Sequence, residues 1–448
     1  MKRLFNCTAL FALLFLFVTT VAAQADKVDD YVKAEMQRQR IPGISIAVIK
    51  NGKVIKAEGY GLANTELNVP ARPETVYKIG SLSKQLIATG IMLLMQEGKL
   101  SLDDKISKFL DGTPDTWKDI TIRHLLTHTS GIVREAPGFD PYKIQSDADV
   151  IKTAYPLTLR FTPGEKWEYC NVGYFALAEV IRKISGRAWS DFLNERIFSP
   201  LEMKATRTTT VTDIVPNRAD GYIWREGRLH NADIFFALRP SGAFLSTVLD
   251  LAKWDASLYS DQILKAATRE MMWSPVKLNN GNSHPYGFGW ELDAPGGHKR
   301  VQHGGSLPGF RSTIARYVDD KLTVIVLTNA DNANPGAVAL GVADTFIPGV
   351  IPQRTVAQVN PKLFDAYIGQ YQPNAVVTLT ISREGDKLLL QLSTSPDKQE
   401  LLPESETSFF NSTNRNLSYS FVKDEKGQVT HLVIQNAGRE VARVKKIK

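Results

Sequence analysis

Ser81 and Lys84 stand three residues apart, where a small-residue turn runs into an apolar-periodic segment carrying Ile87, Ile91, Leu94 and Met95. That periodicity predicts a helix, and positions three apart on a helix share a face, so hydroxyl and amine come within reach. The helix N-terminus adds unpaired N–H groups and a positive dipole end, which favour negative charge at Ser81. A lysine held there, desolvated and near other cations, can lose its proton and act as a base, making the hydroxyl a nucleophile. The pattern alone is common, and a serine before a helix is usually a cap. Partners elsewhere in the chain must decide.

Tyr169 and Asn171 flank Cys170 just ahead of a second amphipathic segment, Val172 to Ile184, closed by Gly186. In an extended or turning segment, residues two apart project the same way, which would bring a phenol and a carboxamide into one cleft. A phenol beside a lysine ammonium can be lowered in pKa far enough to exchange protons. The carboxamide can hold a lysine or a substrate amide. The competing reading is a buried tyrosine with a satisfied hydroxyl and an asparagine N-cap. Further on, His303-Gly304-Gly305-Ser306 puts glycines beside an expected strand, an edge that can offer backbone groups to an acyl substrate. His124 and His128, four apart, could face one metal from a helix, but the glutamate of H-E-x-x-H is absent and no third ligand is evident. No metal is expected.

The elements that position these residues can be read around them. Lys2 and Arg3, an apolar run from Ala9 to Val18 and the small residues up to Ala25 form an export signal, residues 1–23. The apolar run is too short to span a membrane. The protein is therefore expected in the periplasm or secreted, with no membrane span in the mature chain. Cleavage removes Cys7 and leaves Cys170 as the only cysteine, so stability must come from a large core. The net charge of +7 is spread along the chain without a basic block before the Lys445–Lys448 tail, which gives no support to a nucleic-acid partner. A helix from Asp26 to Gln39 with Val28, Tyr31, Val32 and Met36 on one face is followed by two strand-like runs, Ile44 to Ile49 and Val54 to Gly59. Asn51-Gly52 joins them as a hairpin. Phe310 to Tyr317 and Leu322 to Leu327 are two further strands, and Pro335 to Phe346 a closing helix.

Ser81-Leu82-Ser83-Lys84, Tyr169-Cys170-Asn171 and His303-Gly304-Gly305 resemble, in order and spacing, the motifs of the serine β-lactamase-related family. That family includes class C β-lactamases, D-alanyl-D-alanine carboxypeptidases, D-aminopeptidases and lactamase-fold esterases. Flanking text is similar too: Leu125-Leu126-Thr127-His128-Thr129-Ser130-Gly131, Pro163-Gly164-Glu165, Pro200-Leu201-Glu202-Met203 and Tyr286-Gly287-Phe288-Gly289-Trp290. The resemblance covers about residues 27 to 348 and implies an α+β transpeptidase-like fold, a five-stranded antiparallel sheet flanked by helices plus a helical region. It implies that Ser81 is acylated by a carbonyl substrate and Lys84 activates it, while Tyr169 relays the proton to the leaving group. Asn171, His303, Gly304 and Gly305 would contact substrate, and the N–H groups of Ser81 and Ser306 would form the oxyanion hole. Such donors contribute on the order of 3 kcal/mol each to barrier lowering. No cofactor is implied.

One departure matters. Most β-lactamases and D-Ala-D-Ala enzymes of this family carry lysine where His303 stands. Histidine has an ordinary pKa of about 6.5 and is largely neutral at pH 7. The resemblance therefore favours an esterase or peptidase over an efficient β-lactamase. A β-lactamase or carboxypeptidase, and a non-catalytic binding protein on the same fold, stay open as alternatives, and Arg311 is a candidate compensating charge. Oligomeric state is left open. Domain 26–350 is followed by a linker, 351–360, and by a small antiparallel β domain, 361–448, sandwich or barrel, resembling the lipocalin-like domain appended to such hydrolases. Its expected strands are Val376 to Ile381, Lys387 to Leu392, Ser418 to Val422, Val429 to Gln435 and Arg439 to Val444.

Overall fold

The computed structural model describes residues 27–210, 212–233, 239–372, 377–394, 397–413, 415, 417–436 and 439–447. The export segment, 1–23, lies outside them, as does Val376. The chain forms two compact units: residues up to Asp293 with Arg300–Thr345, and Ala294–Lys299 with Phe346–Lys448.

The first unit is built on an antiparallel sheet of β1 (Gly43–Lys50), β2 (Lys53–Asn64), β3 (Val69–Pro70), β4 (Glu291–Asp293), β5 (Arg300–Leu307), β6 (Phe310–Tyr317) and β7 (Leu322–Thr328). Their order across the sheet is β4-β5-β6-β7-β1-β2-β3. The five long strands are the expected ones; the three-residue β4 and two-residue β3 extend the two edges, making seven. β1 pairs with β7, Ile44 opposite Thr328, so the first and last long strands of the unit meet at its centre. The β1–β2 turn has positive φ at both Asn51 (51°) and Gly52 (73°), the type I′ geometry that suits the strand twist. β1 is buried along nearly its whole length because both faces are covered. Ala47 and Ile49 enter the large core, and Ile44, Ile46 and Val48 point to the other side by the two-residue alternation.

The helices that matter are α1 (27–39), α2 (Ser83–Gln96), α3 (Val172–Ser185), α4 (Val248–Ser257) and α5 (Pro335–Asp344). α5 lies on β6 and β7, and α4 on β1 and β7. α2 is buried over twelve consecutive residues, from Ser83 to Leu94, as the central helix of the unit, and packs on α3. It ends at Gly98, whose φ of 70° lets Lys99 N–H reach back to Leu94 O. Among the described residues no helix is long and apolar enough to cross a membrane.

The second unit resolves the sandwich-or-barrel choice: eight antiparallel strands, from Gly369–Gln372 to Arg439–Lys446, close into a barrel. Phe364, Tyr367, Tyr371, Phe409, Tyr419 and Phe421 fill it together with aliphatic residues, and Tyr367 stacks on Phe421 at 4.2 Å. Strands Lys398–Pro403 and Ser408–Asn411 were not expected from the sequence. The polar run Lys398-Gln399-Glu400 hides the first, and ring closure, rather than strand propensity, supplies their partners.

Candidate active site

Ser81 sits in a single 3₁₀ turn, Gly80–Leu82, that feeds straight into α2. Its hydroxyl caps neither helix, so the capping reading fails there. Gly80 has φ 54°, and a Cβ on it would lie 2.7 Å from the Ser306 nitrogen; a Cβ on Gly305 would lie 2.0 Å from Ile79 O. Only glycines let the turn and the β5 edge approach this closely. The Ser306 amide is thereby brought beside the nucleophile turn.

Lys84, one helical turn on, is fully buried. Its Nζ lies 3.2 Å from Ser81 Oγ and donates to Asn171 Oδ1 and Ser241 O, both at 2.9 Å. Burial drives its pKa well below the ordinary lysine range, and Arg239 pushes the same way; Glu135 opposes them. The charged form of the amine is thereby disfavoured. Asn171 stands at the N-cap position of α3 without capping it. Instead its Oδ1 accepts from Lys84 and its Nδ2 donates to Glu135 Oε1 at 2.5 Å. Glu135 in turn pairs with Arg239 at 2.7 Å.

The Tyr169 hydroxyl lies beside the Ser81 side chain, and the Lys84 Nζ stands 4.7 Å from its ring centre. Burial raises this phenol above its ordinary value, with hydrogen bonding to Ser81 only partly opposing it. The expected lowering of Tyr169 is therefore corrected: burial outweighs the hydrogen bond to Ser81 and the nearby Arg134 and Arg239, and the phenol is raised. The Cys170 thiol between them is buried and pushed up to about 12, a packing group.

His303 is buried on β5, and burial pushes it down to about 3, so it is neutral. Its Nε2 meets Tyr286 Oη at 3.0 Å and its Nδ1 meets Gly304 O at 2.6 Å, which leaves no ring nitrogen for a ligand. Gly304 and Ser306 alternate outwards from it along the strand. Ser81, Tyr169, Asn171, His303, Gly304, Gly305 and Ser306 all line one cleft of about 860 Å³. Arg311 is there as well, its guanidinium donating to Leu307 O and Phe310 O.

A family model described as "Beta-lactamase" matches residues 28–345. The chain belongs to the serine β-lactamase-related family. A second family model, "Domain of unknown function (DUF3471)", matches residues 353–445. Penicillin-binding protein 4* of Bacillus subtilis is 32% identical over 398 residues, covering 80% of this chain and 87% of that protein. A D-aminopeptidase of Brucella melitensis is 28% identical, over 84% of this chain and 73% of its own. Among solved structures, the octameric penicillin-binding protein homologue from Pyrococcus abyssi aligns with a TM-score of 0.68 and 26% identity, over 94% of this chain and all of its own. The D-amino acid amidase from Ochrobactrum anthropi shares the fold, with a TM-score of 0.62 at 23% identity, over 72% of this chain and 96% of its own. The protein is accordingly a hydrolase of the serine β-lactamase-related family.

Within that family frame, the sequence alone overlooked several residues of the site. Glu135, Arg239 and the Ser241 carbonyl surround Lys84 and Asn171, yet lone residues on loops carry no periodic or motif signal. His128 is a further case. The helix holding His124 ends at Leu126, and His128 has φ 59°, so the two imidazoles do not share a helical face. His124 caps Thr121 instead, accepting its N–H at 3.2 Å. Among the described residues no group of three potential ligands is placed to hold a metal.

Proposed function

We propose that this hydrolase cleaves small amides or peptides, and activated esters, through an acyl-enzyme on Ser81, and that it acts outside the cytoplasm after removal of residues 1–23. The observation that carries the reading is the buried Lys84 amine, 3.2 Å from Ser81 Oγ and held only by neutral oxygens. A neutral amine in that place takes the Ser81 proton as Oγ attacks the carbonyl carbon. The Ser81 and Ser306 amides receive the charge that develops on the carbonyl oxygen. The Tyr169 phenol gives its proton to the leaving nitrogen or oxygen and recovers one from the Lys84 ammonium. Water enters by the reverse route, handing its proton to the same pair, and releases the acid. Asn171 orients Lys84, and the β5 edge from His303 to Gly305 aligns the acyl chain.

The neutral His303 supplies no fixed charge for a substrate carboxylate, which disfavours anionic β-lactams; the D-aminopeptidase relative supports amide substrates. Arg311 in the cleft wall favours the second reading, a penicillin-recognising enzyme. To test both, the mature protein and a Ser81→Ala variant are treated with a fluorophosphonate, a fluorescent penicillin, p-nitrophenyl acetate and D-alanine p-nitroanilide. Ser81-dependent labelling with turnover of the anilide or ester, and little penicillin adduct, is expected. A lasting penicillin adduct or rapid penicillin turnover would replace the reading with the second one. Absence of Ser81-dependent labelling by every probe would leave a binding protein.

A further inference from the structure

We infer that His128 and Tyr286 are positioning residues, which with His303 form a one-way chain of hydrogen bonds fixing the β5 edge against the Tyr169–Asn171 turn. The inference rests on the reading of Ser306 as an oxyanion donor. The Cys170 backbone N–H lies 3.1 Å from His128 Nδ1. A peptide N–H can only donate, so the proton of a neutral His128 sits on Nε2. Nε2 is 3.1 Å from Tyr286 Oη, which therefore accepts there and turns its own hydrogen to His303 Nε2 at 3.0 Å. His303 must then carry its proton on Nδ1, 2.6 Å from the Gly304 carbonyl, which can only accept. Backbone groups of opposite sense fix both ends, so one arrangement of protons satisfies all four bonds.

The three side chains are at most 2% exposed, so water does not compete for these bonds. Burial also keeps both imidazoles uncharged, as the chain requires. Its two ends are the places where the site needs precision. Cys170 N–H belongs to the peptide joining Tyr169, the proton donor, to the residue before Asn171. The Gly304 carbonyl belongs to the Gly304-Gly305 peptide, next to the one carrying the Ser306 N–H. Pairing with β6 holds this double glycine on one side, and the His303 Nδ1–H adds a bond to its peptide carbonyl. The Tyr286-Gly287-Phe288-Gly289-Trp290 and Thr127-His128-Thr129-Ser130-Gly131 stretches, otherwise outside the chemistry, thereby acquire a role in it.

Tyr286→Phe keeps the ring and removes the link. On p-nitrophenyl acetate and D-alanine p-nitroanilide, kcat is expected to fall roughly 10-fold or more, with KM within about twofold, because a displaced donor weakens only the transition state. Nitrogen-15 NMR of the wild type should show His303 protonated on Nδ1 and His128 on Nε2. His128→Gln, which retains an acceptor and a donor, should keep more kcat than His128→Leu. Unchanged kcat in a folded Tyr286→Phe, a wild-type His303 protonated on Nε2, or equal losses in the two His128 variants would each overturn the inference. A wild type that shows no Ser81 labelling and no turnover would instead sink the Ser81 reading, and the NMR measurement would still judge the chain.

Discussion

The most deeply buried lysine and the most deeply buried arginine among the described residues, Lys84 and Arg316, sit in the same unit and are treated in opposite ways. Arg316 is ion-paired through Nε to Asp255, which is fully buried and also accepts from Thr323 Oγ1 at 2.8 Å. Its guanidinium lies 4.7 Å from the Tyr259 ring centre and 5.0 Å from that of Trp273. Lys84 has the same burial and no carboxylate; its three partners are a hydroxyl, a carboxamide oxygen and a peptide oxygen. The nearest acid, Glu135, is spent on Asn171 and Arg239. A buried charge with a counter-charge is architecture, whereas a buried amine denied one must give up its proton. That denial is what turns a lysine into a base.

Lys84→Met should produce the largest effect and should split activity from stability. Removing the base is expected to lower kcat by about 10³-fold or more. Because burial holds the folded pKa below the unfolded one, the unfolded chain takes up the proton first as pH falls from the ordinary lysine range of about 10.4. Lys84 therefore lowers stability near neutral pH, and that cost disappears above the ordinary lysine value. Lys84→Met should melt higher than wild type at pH 7, by about 2–4 °C for each kcal/mol recovered, with the gain shrinking towards pH 11. A variant that melts lower at pH 7 would mean that the amine is a compensated cation after all.

Arg316→Met should show the reverse split. Breaking a buried pair and stranding its partner costs about 3–5 kcal/mol. Urea unfolding should register that loss, while kcat of the folded protein stays within about twofold of wild type. Pairing it with Asp255→Leu should recover much of the stability, since an apolar pair of similar volume is often no worse. A large fall in kcat of the folded variant would erase the distinction between Lys84 and Arg316.

What the sequence revealed follows the same division. Ser81, Lys84, Tyr169 and Asn171 were legible because their spacing is local: three residues on a helix, two on a turn, each before an apolar-periodic run. Four of the five long strands were legible from alternating or continuous apolar runs, β5 only from its glycines and the resemblance, and the Asn51-Gly52 turn from its composition. Glu135, Arg239 and the Ser241 carbonyl were not, since they reach the site from loops, and the fold alone brings them there. His128 and Tyr286 stood in recognisable stretches, but their partners lie 42 and 17 residues away, Cys170 and His303 respectively. The direction of the Tyr169 shift also escaped a local reading, because it is set by how deeply the fold buries the phenol. The two missed barrel strands belong here as well: Lys398–Pro403 and Ser408–Asn411 are strands because a ring must close.

The smallest expected effect sharpens the comparison most. Burial is the main cause of the lowered Lys84 pKa; Arg239 lowers it further and Glu135 raises it. If the neutral amine is the active form, kcat/KM rises with pH through this pKa. Arg239→Met removes a repelling cation and should move that acid limb to higher pH. Glu135→Gln removes an attracting anion, while its carboxamide can still accept from Asn171, and should move the limb to lower pH. Each displacement should be about half a pH unit, the scale of a charge acting through partly solvated protein. Opposite displacements are what a group lying in the field of both side chains, as Lys84 does, should show. Displacements of the same sign would place the limb on some other group and remove the functional half of the contrast with Arg316.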